Sequence, residues 1–295
     1  IASINQYIFE KVEDFSNDFI RLQKLTLPIG PVLVLGSSNF PLAYSTAGGD
    51  TIAAFAAGCC VFVKAHAMHA GTSIQVAECI EEARKTVNLP EGVFTHVLDD
   101  GFQHAQKLCL DERIQAIGFT GSFKGGKALM DLAYSRKNPI PVFAEMGSVN
   151  PVIFLEDIIA TQAETIATQY AGSITLGVGQ FCTNPGLLIG LESEELTAFS
   201  NHFTSKMIRK NAAPMLHEGI AQNFEKTVEN FSKQPDINIQ MVEKDGNKLN
   251  GHPAVGIVSG ASFLKNTILH QEVFGPFSLI VACKDINELN LIMEE

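Results

Sequence analysis

Short apolar runs alternating with amphipathic stretches constrain this chain more than any other feature. Val32-Leu33-Val34-Leu35, Cys59-Cys60-Val61-Phe62-Val63-Lys64, Val93-Phe94-Thr95-His96-Val97 and Ile114-Gln115-Ala116-Ile117-Gly118-Phe119 are each of strand length, and a helix-length stretch follows each one. Apolar runs of this kind belong to strands covered on both faces, and short strand-helix-strand connections demand parallel neighbours joined by right-handed crossovers. The first half therefore reads as a doubly wound α/β domain with a parallel sheet. Helices are expected from Thr51 to Ala57, with Gly58 at the stop, from Thr72 or Ser73 to about Thr86, from Gln103 to Cys109, and after Ser122. Near-helical spacing of Ile4, Ile8, Val12, Phe15 and Phe19 predicts an amphipathic helix or two over residues 1–24.

Pro141 to Met146 makes a fifth strand, and Gly147 breaks it. The boundary falls there, giving domains 1–147 and 148–295. The second half alternates less regularly: strands at 152–155, 187–189, 255–258 and 278–282, with helices over 158–171, 194–209 and near 219–231. It reads as a second α/β domain, and the polar stretch from Ser232 to Asn250 shows no regular pattern. A chain of 295 residues has room for two cores, since single cores stop growing near about 250–300 residues.

A net charge of −11 argues against a general binder of nucleic acid or anionic membrane. Apolar runs end well short of the roughly 20 residues a membrane span needs, and residues 1–7 lack the pattern of a secretory signal. A cytoplasmic protein is expected. The six cysteines, Cys59, Cys60, Cys79, Cys109, Cys182 and Cys283, show no CxxC pair or zinc spacing, so reduced thiols are expected. His66 and His69 lack a third ligand, and no metal is expected. Asp99 and Asp100 read as solvated surface.

Cys182 stands apart within Gly177-Val178-Gly179-Gln180-Phe181-Cys182-Thr183-Asn184-Pro185-Gly186. An isolated cysteine is more often a small core residue than a nucleophile. Here small neighbours allow close backbone approach, and Gln180 and Asn184 offer polar groups near the sulfur. Glu145 ends an apolar run, where burial would raise its pKa towards that of a general base; the plainer alternative is a solvated strand end. Asn39, on the turn-rich loop after the first strand, offers an amide for an oxyanion or merely suits a turn.

Taken together, Ser38-Asn39-Phe40-Pro41, Lys64, Phe119-Thr120-Gly121-Ser122, Glu145-Met146-Gly147, Gly179-Gln180-Phe181-Cys182 and Glu272-Val273-Phe274-Gly275-Pro276 resemble, in order and spacing, the aldehyde dehydrogenase superfamily. The resemblance implies a cofactor domain and a catalytic domain. It implies that Cys182 attacks an aldehyde carbonyl and that Asn39 and the Cys182 N–H hold the oxyanion. Glu145 would then activate water against a Cys182 thioester. For the cofactor, it implies Lys64 at the adenosine ribose, Gly121 and Ser122 near the pyrophosphate, and Glu272 and Phe274 at the nicotinamide ribose and ring. Many NAD-preferring members carry Glu three positions after the lysine; Ala67 stands there instead, with His66 close by, which favours NADP over NAD. Glu-Met-Gly-Ser-Val-Asn-Pro and Cys-Thr-Asn-Pro-Gly resemble the branch that oxidises α-ketoglutaric semialdehyde (2,5-dioxopentanoate). Members of this family are longer, so the resemblance also implies an incomplete chain, and a homodimer or homotetramer at full length.

Two alternatives stand beside an enzyme that oxidises aldehydes to acids. One is a relative that passes the acyl group to CoA, against which Glu145 speaks. The other is a catalytically silent structural relative, against which the trio Cys182, Glu145 and Asn39 speaks.

Overall fold

The computed structural model describes residues 27–295 and, as backbone alone, the pairs 13–14 and 23–24. These pairs, β1 (Glu13–Asp14) and β2 (Gln23–Lys24), are extended and antiparallel to each other. The remainder of the helix expected over 1–24 lies outside the described residues. The chain divides into two compact units, Ile1–Met146 and Gly147–Glu295.

The first unit runs β3 (Val32–Leu35), α1 (Gly49–Ala56), β4 (Val61–Lys64), α2 (Ala70–Thr86), β5 (Phe94–Val97), α3 (Gln103–Leu110), β6 (Ala116–Thr120), α4 (Phe123–Tyr134) and β7 (Val142–Glu145). Its five strands are parallel in the order β5-β4-β3-β6-β7. The chain thus winds outwards from β3 in one direction, returns, and winds outwards in the other. Strand pleating divides the core. Val32 and Val34 pack with Ala54 of α1 and Ala77 of α2, while Leu33 and Leu35 pack with Ala105 of α3 and Leu129 of α4. Each fully buried Leu or Ile in these layers contributes about 1.5–3 kcal/mol.

Two details differ from the sequence expectation. β7 is the last strand of its sheet, so Phe143 is 65% exposed and Glu145 is exposed with it. Asp99 is not solvated surface: its side chain is only 6% exposed and accepts from Gly101 N at 3.1 Å and His104 N at 3.3 Å, closing the turn into α3.

The second unit runs β8 (Pro151–Phe154), α5 (Glu156–Thr175), β9 (Leu187–Leu191), α6 (Glu194–Ile208), β10 (Ala213–Pro214), α7 (Glu218–Ser232), β11 (Asn238–Met241), β12 (Asn250–Gly251), β13 (Ala254–Ser259), α8 (Gly260–Lys265), β14 (Phe277–Cys283) and α9 (Ile286–Glu294). Its main sheet has the order β11-β13-β14-β9-β8, parallel except for β11 against β13. One face packs on α5 and α6 through Ile174, Phe199 and Phe203; the other packs on α7 to α9 through Phe224, Phe263 and Leu289. The polar stretch 232–250 is therefore not patternless, since β11 lies within it. Asn238, Gln240 and Met241 are exposed there, and so no apolar run marks the strand. Among the described residues no helix is long and apolar enough to cross a membrane.

Candidate active site

In the first unit, the functional candidates gather at the carboxyl edge of the sheet. The loop after β3 carries Asn39 and is fastened through Ser37. Its N–H and hydroxyl donate to Tyr44 O at 2.8 and 3.3 Å, and its carbonyl lies 2.9 Å from His69 Nε2. Lys64 ends β4, and Gly121 and Ser122 join β6 to α4. β3 and β6 are the neighbours at which the winding reverses, and open α/β sheets hold ligands in the crevice outside such a pair.

Ser122 caps α4, its hydroxyl accepting from Gly125 N at 3.2 Å. The free donors at that helix start are backbone N–H groups, which suit a pyrophosphate. Burial lowers the pKa of Lys64, opposed by the charges of Asp99 and Asp100. His66 Nδ1 accepts from Met68 N at 3.3 Å, and its ring stacks on His69 with centroids 5.6 Å apart. Glu145 is exposed, whereas Asp50 in the same unit is half-buried. Desolvation raises the pKa of Asp50 and the charge of Glu145 adds to it. Asp50 lies in the first turn of α1, against Gly118 of β6.

In the second unit, Cys182 sits half-buried between the end of α5 and β9. Three consecutive left-handed residues lead to it: Gly177 (φ 53°), Val178 (φ 58°) and Gly179 (φ 65°). For β-branched Val178 this is an outlier costing about 1–3 kcal/mol, sustained only where the surroundings over-determine it. They do so here. Gln180 accepts from Leu216 N at 2.8 Å and donates to Gly177 O at 3.0 Å. Asn184 Nδ2 donates to Gly275 O at 3.1 Å, and Gly186 N donates to Val149 O at 3.0 Å. Both side-chain amides thus bond the backbone and set the loop.

Glu272 and Phe274 precede Gly275 and line a narrow cleft with Gly179, Phe181 and Asn184. Burial raises the pKa of Glu272, while a hydrogen bond from Ser148 N opposes the rise. The Glu272 carboxylate lies close against Gly147, where a Cβ would displace it. This unit thereby brings the Cys182 loop to the Glu272-Phe274 segment. Asn39, Lys64, His66, Gly121, Ser122 and Glu145 belong to the first unit.

Of the remaining thiols, Cys59, Cys109 and Cys283 are buried, and Cys79 is exposed on α2. Burial, with Glu288 and Asp285 nearby, pushes Cys283 up to about 11. Asn150 lies within Glu-Met-Gly-Ser-Val-Asn-Pro, but no role of its own was expected for it. It adopts φ 44°, and its amide donates to Cys182 O at 2.7 Å and to Asn184 O at 3.0 Å. The available signal was an asparagine, tolerant of left-handed backbone, next to a proline.

Residues 5–294 match the profile described as the Aldehyde dehydrogenase family. Alpha-ketoglutaric semialdehyde dehydrogenase 2 of Azospirillum brasilense is 42% identical over 276 residues, covering 93% of this chain and 52% of its own length. Alpha-ketoglutaric semialdehyde dehydrogenase of Acinetobacter baylyi is 38% identical over 276 residues, covering 90% and 51%. A crystal structure of an NAD-dependent benzaldehyde dehydrogenase from Corynebacterium glutamicum superposes with a TM-score of 0.79 at 21% identity, covering 98% of this chain and 62% of that one. The glyceraldehyde-3-phosphate dehydrogenase GapN of Methanocaldococcus jannaschii, complexed with NADP, gives 0.76 at 21%, covering 96% and 60%. At that identity the structures speak for the fold alone. The chain spans about half the length of the curated relatives it matches. By the extent of the profile match and the identity to these relatives, the chain belongs to the aldehyde dehydrogenase family.

Proposed function

We propose that the protein oxidises an aldehyde to a carboxylic acid with an NAD(P) cofactor, and that Cys182 is its nucleophile. The observation that carries this is the strained, multiply tied turn presenting Cys182 in a chain of this family. The Cys182 thiolate adds to the carbonyl carbon, and the Cys182 N–H and the Asn39 amide hold the oxyanion. A nicotinamide cofactor, when bound, would supply the hydride acceptor needed for a Cys182 thioester to form. Glu145 takes a proton from water, whose oxygen attacks the thioester; the acid leaves and the thiol is restored.

Unit 1–146 would serve as the cofactor domain and 147–295 as part of the catalytic domain. The cofactor fits the first unit: the winding reversal at β3 and β6, the backbone donors at the start of α4, and Lys64 at the end of β4 offer places for its pyrophosphate and ribose. His66 and Gly121 adjoin these positions, and Glu272 and Phe274 would take the nicotinamide ribose and ring. Ala67 puts no carboxylate where a 2′-phosphate would lie, which supports NADP over NAD. Identity of 42% and 38% to two α-ketoglutaric semialdehyde dehydrogenases supports that substrate. Action in the cytoplasm as a homodimer or homotetramer belongs to the same proposal.

The test is a panel of aldehydes, with and without an α-keto acid group, assayed with each cofactor by formation of the reduced nicotinamide. α-Ketoglutaric semialdehyde with NADP is expected to give the highest kcat/KM. Cys182→Ser is expected to abolish oxidation while retaining cofactor binding. Oxidation surviving in Cys182→Ser, or a strict requirement for CoA, would sink the proposal.

A further inference from the structure

The hydrogen bonds around Cys182 fall into two sets with different reach. Upstream, the Gln180 amide closes on Gly177 O and Leu216 N, and Gly179 rests on the Gly275 backbone. Downstream, Asn184 Nδ2 is tied to Gly275 O and Gly186 N to Val149 O, and the carbonyls of Cys182 and Asn184 are held by one side chain from a distant position. Asn150 Nδ2 reaches Cys182 O at 2.7 Å and Asn184 O at 3.0 Å, across 32 and 34 positions of sequence. A longer approach to Ser148 O, 3.4 Å, and a bond from Asn150 N to Ser148 Oγ at 3.2 Å hold the asparagine itself. Asn150 directly precedes β8, whose Pro151 is in register with Leu187 of β9, the strand that follows the Cys182 loop. The support is therefore the sheet itself.

A primary amide is suited to this place. It carries two N–H donors on one nitrogen, enough for two carbonyls at once, and asparagine tolerates the left-handed φ of 44°. Aspartate has the same shape but would set oxygen against oxygen. Glycine would keep the backbone conformation and lose both bonds.

We propose that Asn150 is a positioning residue: by holding the carbonyls of Cys182 and Asn184 it fixes the Cys182 backbone so that its N–H meets the oxyanion formed on attack. The inference rests on the reading of Cys182 as the nucleophile. Oxyanion stabilisation depends on donors already in place, and a misplacement near 1 Å costs as much as about 100-fold in rate. Asn150 touches no reacting atom; it acts through the Cys182 peptide.

Two reagents separate positioning from general loosening. p-Nitrophenyl acetate acylates a thiolate: sulfur adds to the ester carbonyl, an oxyanion forms, and p-nitrophenolate leaves to give a thioester. Iodoacetamide alkylates the same thiolate by displacing iodide from a saturated carbon, with no oxyanion. Rates at individual cysteines are followed by mass spectrometry in the native protein, in Asn150→Asp and in Asn150→Gly. Acylation of Cys182 is expected to fall about 10- to 100-fold in both variants, while its alkylation stays within about threefold. Buried Cys59, Cys109 and Cys283 serve as sentinels of unfolding. If they label in Asn150→Asp, Asn150→Gly makes the comparison with the native φ retained. Acylation that is unchanged, or that falls in step with alkylation while the sentinels stay protected, overturns the positioning role. Failure of the nucleophile reading looks different: in the native protein, Cys182 would then show the same ratio of acylation to alkylation as exposed Cys79.

Discussion

Gly179 and Gly275 meet backbone to backbone: a β-carbon on Gly179 would overlap the Gly275 carbonyl and the Pro276 nitrogen. Gly179 also holds φ 65°, which an L side chain rarely adopts. Gly179→Ala is therefore expected to destabilise the fold by more than about 2 kcal/mol. Gly172, within α5, has nothing within 4 Å of the same position, and Gly172→Ala should stabilise by roughly 0.5–1 kcal/mol. Denaturant melts of the two variants check the pair. Equal effects would mean that the 179–275 approach does not constrain the fold.

Ala67→Glu tests the cofactor assignment. A carboxylate three positions after Lys64 repels a 2′-phosphate and accepts hydrogen bonds from ribose hydroxyls. Titration with each cofactor should show NADP binding weakened by about tenfold or more, equivalent to about 1.4 kcal/mol, with NAD binding little changed or improved. Parallel changes for both cofactors would place the 2′-position elsewhere.

Asp50 gives a pH dependence of defined sign. Its pKa is raised in the folded state, first by burial and then by Glu145, so the native chain binds its proton more tightly than the unfolded chain does. The ionised carboxylate is penalised at neutral pH. As pH falls from above the raised value to the ordinary carboxylate value, the native protein takes up the proton and the penalty is lost. Asn mimics the neutral form. Asp50→Asn should accordingly be more stable than the native chain at pH 7, and the difference should shrink steadily towards pH 4. A difference that is flat or grows on acidification would contradict the burial assignment.

Glu145→Gln should separate the two halves of the proposed chemistry. Acylation does not need the base, and thioester hydrolysis does. A rapid burst of reduced cofactor near one equivalent per site, followed by a stall, is expected in stopped-flow records. Slow turnover without a burst would remove Glu145 from the hydrolytic step.

The physical basis of each element decided how much of it was legible beforehand. β3, β4 and β6 are covered on both faces, so their residues form uninterrupted apolar runs and the alternation with helices follows directly. β7 carries an equally apolar segment but ends its sheet. Sequence alone does not say which strand is last, and the burial expected at Glu145 failed for that reason. β11 shows almost no apolar face and was missed. At the candidate site, Cys182 and Glu272 stood out by motif, whereas Asn150 makes its contacts 32 and 34 positions away. No local pattern carries such a contact.

The antiparallel pairing of β11 with β13 bears on how the second unit folds. Every other pairing in the two five-stranded sheets joins parallel strands, which need a crossover to close. β11 reaches β13 across residues 242–253 alone. Loop-closure entropy is lowest for that short connection, and contacts close in sequence form soonest. The segment that shows least pattern in the sequence is thus the one best placed to assemble early, giving β14 an edge to join.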